Sequence, residues 1–264
     1  MSQVLNPQID YLTECRPMCF AMGNAIRLLK TKITLVSLEM SDTEASDFIC
    51  DFIENFIHER IRLAEVAVLR IGRNHIQDGD TILTYCHSRL VRKLLEKAWS
   101  EGVKFKVIIL DDIHDRTGQE LAGLLVQLGV QVTYAQLYPH LGGLTYHLSR
   151  ATKVLLGTEA VFANGALYGP AGTSDIALAA TSLRKPVIAL SESINIDRDR
   201  VATDSVTYNE IDPEQCSADS FRLLFDTTRD SYVSYLVTEY EESSGKTPSL
   251  SVQAVLRAKE EITA

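Results

Sequence analysis

From Asp78 onward the sequence alternates short runs of β-forming residues with stretches of helical character. The run from Val107 to Leu110 is apolar at every position, which indicates a strand buried on both faces, as in a parallel sheet covered by helices. This alternation predicts a doubly wound, Rossmann-like α/β domain with a mostly parallel sheet. The predicted strands span residues 81–85, 105–110, 130–135, 153–156, 160–163 and 186–190, and the predicted helices span residues 90–99, 118–128, 141–149 and 174–183.

The residues before Asp78 are predominantly helical in pattern. Pro17 suits the first turn of a helix over residues 18–36, and the capping residues at 41–44 precede a longer helix that reaches about Ile71. In this longer helix a polar seam and an apolar side recur at spacings of three and four. We therefore predict an N-terminal helical domain over residues 1–76 and a Rossmann-like α/β domain over residues 77–264. The seam comprises Asp47, Asp51, Glu54, His58, Arg62 and Glu65, and the apolar side comprises Ala45, Phe48, Ile49, Phe52, Ile53 and Phe56.

Composition narrows the class of function. The 264 residues carry a formal net charge of -9, so nucleic acid and anionic membrane surfaces would be repelled overall. No apolar run approaches the length of a membrane span, and the first residues lack the pattern of a signal peptide. The five cysteines show neither a CxxC pair nor zinc spacing. We expect a cytoplasmic protein with reduced thiols, no metal, no cofactor, no membrane and no direct nucleic-acid partner.

Three polar segments follow predicted strands, and ligands of such a sheet bind at the carboxyl ends of its strands. In the first, at 85–88, Cys86 precedes a helix, and this position can lower the pKa of a thiol and make it reactive. Packing of a small residue at a strand end is the simpler explanation. In the second, at 111–115, the aspartates offer metal ligands but also suit a solvated loop.

The third segment, at 164–173, is rich in glycine and runs into a predicted helix. Its small residues would let the backbone approach a ligand, and the helix N-terminus could bind phosphate. A tight turn between strand and helix explains the same residues equally well.

Several short motifs occur in the order and spacing of one known family. The chain resembles, over roughly residues 5–240, the family that joins the alpha, beta and delta subunits of translation initiation factor 2B with two sugar-phosphate isomerases. The isomerases act on methylthioribose 1-phosphate and ribose 1,5-bisphosphate. Residues 6–12 and 16–27 are similar to the delta branch. The motifs are Arg16-Pro17, Gly23-Asn24-Ala25-Ile26, Cys86-His87-Ser88, Gly157-Thr158-Glu159, Ala163-Asn164-Gly165-Ala166, Gly172-Thr173 and Asn209-Glu210.

The resemblance implies a vestigial pocket. The isomerases use a cysteine and the aspartate of a Gly-Ala-Asp motif as acid-base groups; Cys86 matches the cysteine, but Glu159 stands in place of the aspartate. One extra methylene displaces the carboxylate from a geometry that tolerates little error. Two cationic segments of the isomerases are replaced by residues 112–114 and 169–170, which removes charges suited to a sugar phosphate. The implied pocket residues are Cys86, Glu159, Asn164, Gly165, Gly172 and Thr173.

The resemblance further implies a non-catalytic regulatory and scaffold subunit of the guanine-nucleotide exchange factor for initiation factor 2. Such a chain would pair with the beta subunit, join an alpha-subunit dimer and support the catalytic gamma and epsilon subunits. It would also sense initiation factor 2 when its alpha subunit is phosphorylated, through Glu59, Arg62 and Leu63. From periodicity alone, Leu63 would be a core residue and Glu59 a solvated charge. The alternatives are a sugar-phosphate isomerase and a small-ligand sensor that keeps the pocket without catalysis.

Overall fold

The computed structural model describes residues 2–36, 40–137, 143–212, 222–240 and 252–256. Helices precede the first strand, and a π-helical stretch, here called the π segment, separates α3 from α4. These elements are α1 (Ser2–Cys15), α2 (Phe20–Thr34), α3 (Asp42–Phe56), the π segment (Ile57–Leu63) and α4 (Ala64–Arg73).

Strands and helices alternate after α4, as the sequence predicts. The elements are β1 (Thr81–Tyr85), α5 (Arg89–Ser100), β2 (Lys106–Asp112), α6 (Thr117–Gln127), β3 (Gln131–Leu137), α7 (Leu144–Arg150), β4 (Lys153–Gly157), β5 (Ala160–Val161), β6 (Leu167–Pro170), α8 (Thr173–Ser182), β7 (Val187–Leu190), β8 (Phe225–Thr228) and β9 (Tyr235–Val237). Single 3-10 turns occur at Ser193–Asn195 and Asp230–Tyr232, and residues 252–256 are helical.

The main sheet confirms the predicted α/β fold. Its strands are all parallel and lie in the order β3-β2-β1-β4-β7-β9. Counted along the chain, this is the 3-2-1-4-5-6 order of a doubly wound dinucleotide-binding sheet. The order reverses between β1 and β4, so the crevice outside the carboxyl ends of these two strands is where a ligand of such a fold binds.

Alternate residues of the strands face opposite helical layers. Ile82 and Val107 pack with α4, α5 and α6 on one face of the sheet, whereas Leu83 and Ile108 pack with α7 and α8 on the other. Because both faces are covered, the central strands consist mainly of buried apolar residues. This explains why the run from Val107 to Leu110 carries no polar residue.

A second, smaller sheet departs from the predicted pattern. Strands β5, β6 and β8 form an antiparallel group, with Ala160 paired to Tyr168 and Tyr168 paired to Thr227. The strand predicted over 160–163 is therefore shorter than expected and lies outside the main sheet. Packing of Phe20 from α2 against Phe162 and Tyr168 joins this small sheet to the N-terminal helices.

The N-terminal helices follow the prediction with two differences. Helix α2 begins at Phe20, with Cys19 as its extended N-cap, so Pro17 precedes the helix. The long second helix starts at the expected capping box of Ser41 and Glu44, but it is interrupted by the π segment. Sequence periodicity carried no sign of this interruption.

Helix α4 belongs to the core of the α/β region. Val68 and Ile71 are buried with α5 and the sheet, and a Cβ on Gly72 would lie 2.9 Å from Leu94 Cδ2. The amide of Asn24 in α2 donates to the carbonyls of Ile194 and Ile196 at 2.7 and 3.1 Å. Helical and α/β regions thus share an extensive contact, and the boundary at residue 76 stays a prediction.

Candidate functional site

Cys86 follows β1 at the point where the strand order reverses. Its backbone is left-handed, with a φ of 52°, and its amide donates to the Leu110 carbonyl at 2.8 Å. The side chain is buried, and burial raises the pKa of the thiol to about 12. Such a thiol stays protonated at neutral pH and is therefore a poor nucleophile and a poor base.

The N-terminus of α8 is bound by a carboxylate that the sequence analysis missed. The amides of Gly172 and Ser174 donate to Asp226 Oδ2 at 2.8 and 2.9 Å. Burial raises the pKa of Asp226 to about 7, although the two amide hydrogen bonds act in the opposite direction. A helix terminus at which phosphate binding was one of two alternatives therefore holds a carboxyl group of the same chain. Asp226 lies far from α8 in sequence, and no local pattern marks it.

The side chain of Tyr85 explains why a glycine occupies position 172. Its hydroxyl donates to the Ala171 carbonyl at 2.6 Å, and a Cβ on Gly172 would lie 2.9 Å from that hydroxyl oxygen. Gly172 also has a φ of 102°, which disfavours other residues. Thr173 donates its hydroxyl to the Pro170 carbonyl at 2.6 Å. Cys86, Gly172 and Thr173 thus lie at the same end of the sheet, and their neighbours there are protein groups.

Asn164 and Gly165 lie elsewhere, in the turn between β5 and β6. The Asn164 amide donates to the Ala202 carbonyl at 2.7 Å, and Gly165 takes a φ of 83°. Gln253 donates to the Asn164 carbonyl at 3.2 Å, and its amide nitrogen would be 2.6 Å from a Cβ on Gly165. This motif therefore forms a tight turn on which the C-terminal helical segment packs.

Glu159 lines a cavity of about 510 Å³ between the α1–α2 connection and the small sheet. Arg16 pairs with Glu210 at 3.3 Å on its wall, and the guanidinium of Arg200 lies over the Phe20 ring. The Glu159 side chain reaches solvent through the opening, yet the surrounding protein desolvates it enough to raise its pKa, an effect that nearby Arg16 opposes. The described residues that line this cavity include Glu159 but not Cys86, and a pocket shared by all six predicted residues stays a prediction.

The acidic residues at the end of β2 and in the following loop are paired with an arginine that lies far away in sequence. The Arg222 guanidinium pairs with Asp112 at 2.9 Å, with Asp115 at 3.1 Å and with Asp212 at 2.6 Å. Asp111 is buried and accepts hydrogen bonds from the Gln119 amide and the Tyr134 hydroxyl. These contacts account for the aspartates that the sequence offered as metal ligands.

The cysteines show no pairing where they are described. Cys15, Cys19, Cys50 and Cys86 are free thiols. Cys216 lies outside the described residues.

Glu59, Arg62 and Leu63 all lie on the π segment, and every residue of that segment is exposed. Leu63 keeps 50% of its surface exposed, so the core position that periodicity favours is wrong. Beside it lies a small concavity of about 270 Å³ lined by apolar side chains, two carboxylates and one guanidinium. Its wall is formed by Glu59, Arg60, Leu63, Ala64, Ala67 and Glu239.

An ion-pair cluster supports the region below the π segment. Arg89 at the start of α5 binds Glu65 of α4 and, at 2.5 Å, Glu192 after β7. Lys93 binds Glu65 at 2.5 Å, and Glu239 accepts a hydrogen bond from the Ser193 amide. Burial raises the pKa of Glu192, whereas the Arg89 charge lowers it. This cluster ties α4 to the carboxyl end of the sheet.

No helix in the described parts of the chain combines the length and the apolar character needed to cross a bilayer.

Comparisons with known proteins agree with the motifs. The model of the Initiation factor 2 subunit family matches residues 1–240. Subunit delta of translation initiation factor eIF2B from Schizosaccharomyces pombe is 38% identical over 209 residues, which is 79% of this chain and 44% of that protein. The delta subunit from Dictyostelium discoideum is 31% identical over 279 residues, covering 97% of this chain and 43% of that protein. The chain thus spans less than half the length of these relatives.

The chain is also similar to an isomerase and to a chain of a solved structure. Ribose 1,5-bisphosphate isomerase from Thermococcus kodakarensis is 28% identical over 243 residues, covering 86% of this chain and 73% of that enzyme. A chain in the crystal structure of the tetrameric eIF2B-beta2-delta2 complex from C. thermophilum superposes with a TM-score of 0.86 at 51% identity, covering 89% of this chain and 75% of that one. The chain therefore belongs to the initiation factor 2 subunit family, in the branch of the eIF2B delta subunits.

Proposed function

We propose that this chain is a non-catalytic regulatory and scaffold subunit of the guanine-nucleotide exchange factor for translation initiation factor 2, acting in the cytoplasm. The observation that carries the proposal is the 51% identity, over 89% of the chain, to a chain of a beta2-delta2 complex. The proposed partners are the beta subunit, an alpha-subunit dimer, the gamma and epsilon subunits, and initiation factor 2 with its phosphorylated alpha subunit.

The outer surface of the α/β region suits a scaffold. Helices α7 and α8 cover one face of the main sheet, and their outer sides carry Tyr146, Leu178 and Leu183, exposed at 59%, 44% and 37%. Apolar side chains on the outside of a well-packed layer are typical of surfaces that a partner covers. We propose that the beta subunit pairs with the α/β region.

The chemistry at the strand ends argues against isomerase activity. Proton transfer needs a group whose pKa lies near the working pH and which reaches the substrate. The Cys86 thiol is buried with a pKa of about 12, and Glu159 lines another cavity. Asp226 also occupies the helix terminus that would otherwise hold a phosphate. These features favour a scaffold that has lost the isomerase site.

The proposed contact with the phosphorylated partner lies on the π segment. Glu59, Arg62 and Leu63 are exposed together, beside the concavity that reaches Glu239. A mixture of an apolar side chain with charges of both signs suits a transient protein contact. This proposed contact lies on the N-terminal helices, so α7 and α8 remain available to the beta subunit.

The test compares assembled complexes that contain the parent chain, Glu59→Lys or Leu63→Gln. All should co-purify with the beta subunit and show the same mass. Each substitution should reduce the preference for phosphorylated over unphosphorylated initiation factor 2 by removing about 1 to 3 kcal/mol from one contact. Glu120→Lys, a charge reversal on the exposed side of α6, is the matched control.

Failure of the parent chain to associate with the beta subunit would refute the scaffold role. Unchanged discrimination in both variants would refute the regulatory surface. Turnover of either sugar phosphate by the purified chain would instead favour the isomerase, and ligand binding without turnover would favour the sensor.

A further inference from the structure

The π segment changes the spacing of backbone hydrogen bonds within the long N-terminal helix. The amide of Ala64 donates to the Glu59 carbonyl, five residues earlier, instead of four as in an α-helix. None of the seven residues from Ile57 to Leu63 is buried. The segment therefore contributes little to the core, although it lies between α3, which buries Ala45, and α4, which adds Val68 and Ile71 to the core.

The buried residues on either side explain why the segment exists. Ala45 is the buried residue of α3, and Ala64 opens the buried face of α4. They lie 19 positions apart, which is about 5.3 turns of an α-helix, whereas an interval of about 18 positions makes five whole turns. In an unbroken α-helix the two residues would point in different directions. Because a π turn holds about one residue more than an α turn, the segment absorbs the extra position, and Ala45 and Ala64 are both buried.

We infer that the π segment is a one-residue insertion that shapes the regulatory surface and that the fold does not require. The inference rests on the proposed function, because Glu59, Arg62 and Leu63 all lie on the segment. π-helical turns have poorer geometry than α turns and are often found at functional sites. A wide turn with no buried residue, carrying all of the proposed contact residues, fits that use.

Removing one residue from the segment should convert it to an α-helix. Deletion of His58 leaves Ala45 and Ala64 in phase, so their burial is kept, but the wide turn closes. Within the segment, the angular spacing of the side chains changes from that of a π turn to that of an α turn. Glu59 and Leu63 remain in the chain, yet the surface they form is changed.

The experiment uses three variants of the chain, each assembled with the beta subunit and the other subunits. Deletion of His58 is the test, and His58→Ala keeps the residue count at the same exposed position. Deletion of Val66, another exposed residue, is the matched control for shortening the helix, since it rotates Val68 and Ile71 away from the core. The thermal midpoint and the ratio of affinities for phosphorylated and unphosphorylated initiation factor 2 are measured for each.

We expect deletion of His58 to keep the parent's thermal midpoint and assembly but to reduce the affinity ratio by about 10-fold or more. His58→Ala should match the parent in both. Deletion of Val66 should lower the midpoint by roughly 10 °C or prevent folding.

Two results overturn the inference. One is a deletion of His58 that destabilises the chain as much as deletion of Val66. The other is a deletion of His58 that folds, assembles and still discriminates, while Glu59→Lys does not. If Glu59→Lys and Leu63→Gln also discriminate normally, the proposed function fails, and the midpoints alone decide whether the fold can do without the π segment.

Discussion

The ionisable side chains Tyr85, Cys86 and Asp226 at the carboxyl end of the main sheet are largely buried. Burial raises the pKa of Cys86 and of Asp226 into a range where both groups hold protons more tightly than usual. Tyr85, beside them, is also buried and donates its hydroxyl to a backbone carbonyl. In a catalytic site such groups would face a substrate, whereas here they face the protein.

Cys86→Ala should leave exchange activity of the assembled complex unchanged and lower the free energy of unfolding by about 1 to 2 kcal/mol. Loss of one buried sulfur atom removes packing but no chemical step. Chemical denaturation and an exchange assay check both expectations. Leu83→Ala, a fully buried position in the preceding strand β1, is the control and should cost about 2 to 5 kcal/mol. A large loss of activity in Cys86→Ala at normal stability would revive the isomerase hypothesis.

Asp226→Asn should change how stability depends on pH. Burial raises the pKa of this carboxyl from 3.8 to about 7 in the folded protein, so the folded state binds the proton more tightly than the unfolded state does. The associated stability is fully present below about pH 4 and is lost as pH rises through 7.

Between pH 5 and pH 8, the free energy of unfolding of the parent should therefore fall relative to that of Asp226→Asn, by an amount on the order of 2 to 4 kcal/mol. The amide oxygen of asparagine can still accept from Gly172 and Ser174, and the two proteins share their other titrating groups. Parallel pH profiles for the two proteins would show that the carboxyl is already ionised when folded.

At the scale of elements, the ion pairs of Arg89 join three parts of the chain that are distant in sequence. The guanidinium contacts Glu65 of α4 and Glu192 after β7, and Lys93 one turn later also binds Glu65. Buried carboxylates need such partners, since an unpaired buried charge is costly. The cluster therefore holds α4, and through it the π segment, at a fixed place on the sheet.

Arg89→Met should lower the free energy of unfolding by about 1 to 3 kcal/mol, because it leaves the carboxylate of Glu192 buried without its cation. Burial already raises the pKa of Glu192, and removal of the arginine raises it further. Protonation relieves the unpaired charge, so the loss should be larger at pH 8 than at pH 5. Chemical denaturation at both pH values measures the difference.

The double variant Arg89→Met with Glu192→Gln serves as the control in a mutant cycle. It should be more stable than Arg89→Met alone at pH 8. Equal stability of the two would mean that the Arg89–Glu192 pair contributes nothing measurable.

At the scale of the molecule, the helical and α/β regions form a continuous packed unit. Helix α4 contributes Val68 and Ile71 to the core above the sheet, and α2 packs on the small sheet through Phe20. The outward sides of α7, α8 and the π segment are among the surfaces that carry exposed apolar side chains. They lie on separate elements, which is what a subunit needs if it is to assemble and bind a regulator at once.

Much of this organisation was determined locally by the sequence. The fully apolar run at Val107–Leu110 requires cover on both faces, and the Ser41 and Glu44 capping box needs only residues within one turn. These predictions were correct because the interactions involve neighbours in sequence, or a burial pattern repeated along an element. The family motifs likewise depend on order and spacing alone.

Tertiary structure decided what depends on distant partners. Asp226 reaches α8, Arg222 neutralises the loop after β2, and Gln253 covers Gly165, each across a long stretch of chain. Strands β6, β8 and β9 were not predicted, and each has only three or four residues. The π segment lies between the buried residues Ala45 of α3 and Ala64 of α4, and their burial becomes visible only in the tertiary structure.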